Sequence, residues 1–286
     1  MEQTNRPTVI RTVDALREAL APTRRAGQRI GLVPTMGALH QGHRSLMDRA
    51  RAECDLVVVS IFVNPRQFDR ASDLQAYPRT EEADLQLVAD AGADLVFAPA
   101  TDEVYPAGFG AEVRLRGPLV ETLEGAHRGS GHFHGVTTVV SKLFNMCRPD
   151  VAYFGRKDAQ QALVIAQLVR DLDFGIRIET CPTIRDPDGL ALSSRNSRLS
   201  PSERQRALTL KQSLDIAAEL VAGGTTDPET IIAAATTVLS GVSLEYFALV
   251  DPRTLEPVSS IDRPVLAAIA AEVGEVRLID NLTLLP

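Results

Sequence analysis

Residues 29–63 read RIGLVPTMGALHQGHRSLMDRARAECDLVVVSIFV. A short apolar run at 29–34 opens the stretch and a longer one at 56–63 closes it. The second run is nearly continuous and rich in β-branched residues, the pattern of a strand buried on both faces. Between them, 43–54 carries Leu46, Met47 and Ala50 at helical spacing. Strand, turn, helix, strand is the unit from which parallel sheets are built.

The alternation continues outward. A helix is predicted over 80–91, with Glu81, Glu82 and Asp84 in its first turn and Gly92 as its stop. A strand at 94–99, a helix at 135–147, a strand at 151–155, a helix at 158–172 and a strand at 176–184 follow. This order predicts an α/β fold, a Rossmann-like, mostly parallel sheet with helices on both faces. In such sheets ligands bind beyond the carboxyl ends of strands, where the strand order reverses. Past residue 183 the pattern changes. Ser200-Pro201-Ser202-Glu203 reads as a helix start and Gly223-Gly224 as its stop. Asp227-Pro228-Glu229 opens another helix, to about 240. Strand-like runs at 244–250, 264–271 and 276–279 complete a smaller α+β C-terminal domain. The expected division is 1–183 and 184–286.

Composition narrows the function classes. The chain has 286 residues, 44% hydrophobic and 23% charged, which suits a soluble globular protein. Its formal net charge of −7 and pI of about 5.3 argue against a nucleic-acid partner, which needs a basic face. Cys54, Cys147 and Cys181 are odd in number and widely spaced, so neither a disulfide framework nor a zinc site is expected. The first residues, MEQTNRP, lack the apolar run of a signal peptide, and 56–63 is too short to cross a bilayer. No membrane partner and a cytoplasmic location are expected.

Four segments fall at the predicted strand ends. In His40-Gln41-Gly42-His43, two histidines three apart share one side of a helix N-terminus, where backbone N–H groups favour phosphate. Gly42 lets a nucleotide lie against the backbone. Leu192-Ser193-Ser194-Arg195-Asn196 places two hydroxyls and a forked guanidinium on one loop, a phosphate clamp. Gly155-Arg156-Lys157-Asp158 offers close approach and a point charge, with Gln161 beyond it. Asn64-Pro65-Arg66-Gln67 supplies amides suited to orienting a hydroxy acid. His127, His132 and His134 have no carboxylate at helpful spacing and read as a pocket rim or helix start, so no metal ligand set is assigned. The pattern G-x-x-x-x-G-K-[ST] does not occur.

Together these segments resemble the pantothenate synthetase (pantoate–β-alanine ligase) family, a branch of the class I aminoacyl-tRNA synthetase-like nucleotidyltransferases. The matching stretches are PTMGALHQGH at 34–43, SIFVNPRQF at 60–68, YPRT at 77–80, LEGAHRGSGHFHGV at 123–136, GRKDAQQ at 155–161, DGLALSSRN at 188–196 and RLIDN at 277–281. The resemblance implies that ATP, with Mg²⁺, adenylates (R)-pantoate and that β-alanine then displaces AMP. It implies an ATP site of Met36, Gly37, Ala38, Leu39, His40, Gln41, Gly42, His43, Gly155, Arg156, Lys157, Asp158, Ile184, Leu192, Ser193, Ser194 and Arg195. Among these, His43, His40, Lys157, Ser193, Ser194 and Arg195 would act in catalysis, with His43 as the general-acid candidate. Gln67, Gln161, Pro34, Asn64 and Arg128 would hold pantoate, Gln67 also β-alanine, and Tyr77 would support them. The smaller domain would serve as a lid, and the assembly would be a homodimer.

The chain departs from the family pattern in places. Arg156 stands where the family usually has Glu, Ala159 where it has an aromatic, and Leu192 where Met is commoner. The segment 125–134 is one residue longer than usual around Gly129-Ser130-Gly131. Two other readings stay open on the residues alone: transfer of AMP to a phosphorylated acceptor, and nucleotide binding without chemistry. The amides Gln67 and Gln161 favour a small hydroxy acid over a phosphorylated acceptor.

Overall fold

A computed structural model describes residues 6–68 and 71–286; the polar stretch read above at 1–5 lies outside them. The chain forms two compact units. The first takes the residues up to Leu115, Ser130–Arg156 and Gln161–Pro182. The second takes Arg116–Gly129, Lys157–Gln160 and Thr183–Pro286. Two segments that precede residue 183 in the chain, Arg116–Gly129 and Lys157–Gln160, group with the C-terminal part.

In the first unit, β1 (Thr8–Ile10), β2 (Ile30–Thr35), β3 (Leu56–Ile61), β4 (Leu95–Phe97), β5 (Val151–Gly155) and β6 (Arg177–Cys181) form one parallel sheet in the order β1-β4-β3-β2-β5-β6. Period-two alternation sorts its side chains between two cores. Ile30, Leu32, Val58, Leu95, Phe97, Ala152 and Phe154 face one core. The helices Val13–Arg25, Ser130–Cys147 and Ala159–Asp171 cover it with Leu16, Leu20, Val140, Phe144, Ile165 and Leu168. Val33, Val57, Val59, Val96, Val151 and Tyr153 face the other, beneath Leu46, Met47 and Ala50 of the Gln41–Glu53 helix and Val88 of the Glu81–Asp90 helix. Burial on both faces is why the strands read as unbroken apolar runs.

Some element limits differ from expectation. Strand β1 and the Val13–Arg25 helix add an edge strand and a covering helix in a region where no element was predicted. The helix expected from 135 starts at Ser130, so His132 and His134 lie within it. The strand expected to reach 184 ends at Cys181, leaving Ile184 in a tight hairpin where Arg185 bridges Ala191.

The second unit holds β7 (Ser243–Val250), β8 (Val265–Val273) and β9 (Val276–Leu284) in one antiparallel sheet, with β8 central. β9 runs five residues beyond its expected end at 279. The helices Pro201–Ala222 and Pro228–Thr236 pack on this sheet with Leu210, Leu214, Val221 and Ile231 against Phe247, Leu249, Ile269 and Leu278. Their starts follow the predicted caps. Ser200 and Glu203 form a reciprocal capping box, and the Asp227 carboxylate accepts from Thr230 N at 2.9 Å. Among the described residues, no helix is long and apolar enough to cross a membrane.

The opposite face of β9 anchors the two earlier segments. Arg277 donates to both Glu124 oxygens at 2.6 and 2.7 Å and to Glu245 at 2.7 Å, while the Tyr246 hydroxyl donates to Glu124 at 2.8 Å. Burial pushes the Glu124 carboxyl up, but hydrogen bonds and charge from Arg277, with Tyr246, bring it below its ordinary 4.5. A carboxyl depressed in the fold contributes stability that is complete above the unfolded value and is lost as pH falls through the folded one. Replacing Arg277 with Met leaves two largely buried carboxylates without their shared cation. The expected loss is about 3 kcal/mol at neutral pH, read from urea unfolding. The gap to the parent protein should shrink as pH drops below 4.5.

Candidate active site

Strand order reverses at β2. From β2 the chain steps to β3 and β4 on one side, then returns to place β5 on the other. The β2–β3 ladder runs the full length from Ile30↔Leu56 to Thr35↔Ile61. The β2–β5 ladder consists of Gly31↔Val151 and Leu32↔Ala152. The carboxyl halves of β2 and β5 therefore part, as expected of a crevice at a switch point. Residues 34–43 leave β2 there. Gly155 ends β5, where an added Cβ would meet nothing within 4 Å.

The turn after β2 is held by a buried carboxylate. Asp84, 2% exposed, accepts from Ala38 N at 3.0 Å, Leu39 N at 2.8 Å and the Thr80 hydroxyl at 3.1 Å. Thr35 Oγ1 accepts from Gly37 N at 3.2 Å. Gly37 has φ +80°, and a Cβ there would lie 3.0 Å from Asp84 Oδ2 and 3.1 Å from Ile61. Glycine satisfies both the left-handed backbone and the close approach.

The turn delivers the two histidines to the start of the Gln41–Glu53 helix. His40 is the N-cap; its Nδ1 accepts from Gly42 N, and His43 Nδ1 accepts from His40 N, both at 3.2 Å. The rings lie 4.1 Å apart. A nitrogen that accepts from a backbone N–H carries no proton, so each neutral ring bears its proton on Nε2. The cap thereby makes both imidazoles Nε2–H donors.

A second element meets this loop. Gln67 Nε2 contacts Met36 Sδ at 2.8 Å, and Gln67 Oε1 accepts from Asn64 Nδ2 at 3.0 Å. Asn64, 1% exposed, also donates to Gly135 O at 3.1 Å and accepts from Arg66 N at 3.2 Å and from the Tyr105 hydroxyl at 2.8 Å. Its amide is fully engaged with protein, which makes it the orienter of Gln67. Burial pushes the Tyr105 phenol up to about 12, so it stays protonated and donates. Gly135 admits this packing, since a Cβ there would fall 2.0 Å from Arg66 O. His132 Nδ1 lies 2.8 Å from Gln67 O. Pro34 and Gln161 are half-buried, Arg156 is exposed, and Tyr77 is buried edge-on to Phe68.

The other expected residues belong to the second unit. Lys157 is partly buried and lies 3.9 Å from the exposed Asp158. Leu192 N donates to Ile184 O at 3.0 Å, closing the hairpin that leads into Ser193. Ser193 caps the short Ser194–Arg198 helix by accepting from Arg195 N at 3.3 Å. Arg128 is half-buried at the end of the Glu124–Arg128 helix, beside His127. His127 therefore sits in a different unit from His132 and His134. Sequence reading missed Asp84 as a loop clamp, since it passed as a first-turn acid. It also missed Thr35, Tyr105 and Gly135, whose roles depend on contacts distant in the chain.

The pantoate–β-alanine ligase family model matches residues 8–283. This chain belongs to the pantoate–β-alanine ligase family. It is a ligase that joins pantoate and β-alanine to give pantothenate. A pantothenate synthetase of Moorella thermoacetica is 50% identical over 279 residues, spanning 96% of this chain and 98% of that protein. The crystal structure of pantothenate synthetase from Thermus thermophilus matches with TM-score 0.93 at 44% identity, covering 98% of this chain and 100% of that one. A pantoate–β-alanine ligase from Francisella tularensis, solved with beta-gamma ATP and β-alanine, matches with TM-score 0.83 at 34% identity, covering 97% of each chain. Membership in this family separates the ligase from the two readings left open by the residues alone.

An Asp84→Asn substitution tests the loop clamp. The new amide would point donors at a backbone N–H, at a cost of about 1–3 kcal/mol. Turnover should fall by about tenfold or more as the histidines shift. Steady-state kinetics with a urea titration check both; unchanged turnover would remove Asp84 from the ligase machinery.

Proposed function

We propose that the ligase works in two steps, with ATP as the activating substrate. The pantoate carboxylate attacks the α-phosphorus of ATP, pyrophosphate leaves, and the β-alanine amine then attacks the pantoyl adenylate, releasing AMP. The observation that carries this reading is the reciprocal His40–His43 cap at the start of the helix that follows β2, which puts the proton of each neutral ring on Nε2. Donors fixed in advance favour charge that builds on phosphoryl oxygens in the transition state. The cap supports hydrogen-bond donation by His43 more than full proton transfer.

The remaining roles follow the chemistry of each group. Met36, Gly37, Ala38, Leu39, Gln41 and Gly42 would line the nucleotide, with Gly155 and Arg156. Lys157, Asp158, Ile184, Leu192, Ser193, Ser194 and Arg195 of the second unit would supply charge and hydroxyl donors to the phosphates. Gln67, oriented by Asn64, would hold pantoate together with Gln161, Pro34 and Arg128, and would also meet β-alanine. Mg²⁺ would enter with ATP, held by the phosphate oxygens as is usual for this ion. Holding the carboxylate in line with the α-phosphate is the main demand on the protein. A homodimer is part of this reading, and sedimentation equilibrium at the monomer mass would remove it. A cytoplasmic setting fits three buried thiols, Cys54, Cys147 and Cys181.

The test is AMP release from ATP with pantoate, with and without β-alanine. AMP should appear in step with pantothenate and depend on β-alanine in the steady state; β-alanine-independent turnover would contradict the second step. His43→Ala should lower turnover by about 10²-fold with the fold intact. Near-normal turnover would take His43 out of the phosphate site.

A further inference from the structure

Strand β9 carries Arg277, Asp280 and Asn281, and each ends on a segment that bears a residue proposed above to meet ATP or pantoate. Asn281 Nδ2 donates to the backbone oxygen of Lys157 at 2.8 Å. Asp280 binds the Arg185 guanidinium in a fork, at 2.6 and 2.9 Å. Arg185 also donates to Gly189 O at 3.1 Å and bridges Ala191, which fixes the hairpin that runs into Ser193. The Ser194–Arg198 helix packs directly on β9. Arg277 holds Glu124, whose backbone N–H donates to Gln160 Oε1 at 2.9 Å, three residues past Lys157.

The burial of these groups calls for a reason. Asp280 is 5% exposed and lies on the apolar helix-facing side of β9, in line with Val276, Leu278 and Leu284. Asn281, 6% exposed, lies on the other side. A buried carboxylate is costly unless paired, and an apolar residue would serve packing better. What the polar pair provides is geometry. Adjacent residues on one strand tie down the backbone of Lys157 and the base of the serine loop.

We infer that Asp280 and Asn281 are positioning residues that set the spacing between Lys157 and the Ser193-Ser194-Arg195 loop. Two groups that grip the same triphosphate must stand at a fixed separation, and small misplacements are expensive in rate. The inference rests on the reading that Lys157 and the serine loop hold ATP.

The test uses Asn281→Ala, Asn281→Leu and Lys157→Ala in the full chain. Asn281→Leu keeps the volume but loses the N–H donors. Both Asn281 variants should weaken ATP binding about tenfold by calorimetry, the scale of one hydrogen bond. The KM for ATP should rise and kcat should fall, while the KM for pantoate stays within about twofold and thermal melting by circular dichroism shifts little. In a Lys157→Ala background, adding Asn281→Ala should weaken ATP binding no further. Normal ATP affinity in the Asn281 variants, with Lys157→Ala impaired, overturns the inference. Normal affinity in Lys157→Ala overturns the reading beneath it. Equal rises in every KM with a large fall in melting temperature mark a merely structural role and also overturn it.

Discussion

The parting of β2 from β5 is the constraint on which the first unit depends. Two parallel strands bonded along their whole length leave no room for a ligand between their ends. Here β2 is committed to β3 through Thr35↔Ile61, while its ladder to β5 stops at Leu32↔Ala152. The chain leaving β2 must then turn in open space, with backbone N–H groups that need acceptors. Asp84 and Thr35 accept from Gly37, Ala38 and Leu39, and the two histidines cap the helix that follows. The same hydrogen bonds that complete the turn also choose the imidazole tautomers.

Buried polar side chains recur beneath four of the segments proposed to carry the chemistry. Asp84 supports the histidine turn, Asn64 orients Gln67, Asp280 grips the serine hairpin through Arg185, and Asn281 holds Lys157. Each is at most 6% exposed, and each spends its hydrogen-bonding groups on protein. Loops that meet charged ligands cannot be held by apolar packing alone, because their backbones are polar. A paired polar group inside the protein supplies direction that a methyl group cannot.

Much of the fold was legible in the chain. The apolar runs at 29–34 and 56–63 identified central strands because both of their faces are buried, and the caps at Ser200 and Asp227 marked true helix starts. The edge strand β1 was not legible, since three residues carry too little pattern. The 130–134 stretch was not legible either, because Gly129-Ser130-Gly131 imitates a loop while the helix already runs from Ser130.

Local sequence determined which residue types stand at the strand ends: paired histidines, amides, a lysine and a serine-rich loop. It also determined the family, because these segments occur in an order and spacing that one family shares. Only tertiary structure decided which of them are held by protein. Nothing in the sequence around Asn64 indicates that its amide is bonded to Tyr105, 41 residues away, and to Gly135, 71 residues away. Lys157 reads as part of the β5 turn until Asn281, 124 residues on, is found on its carbonyl. Hydrogen bonds depend on distance and direction in space, and separation along the chain carries no trace of either.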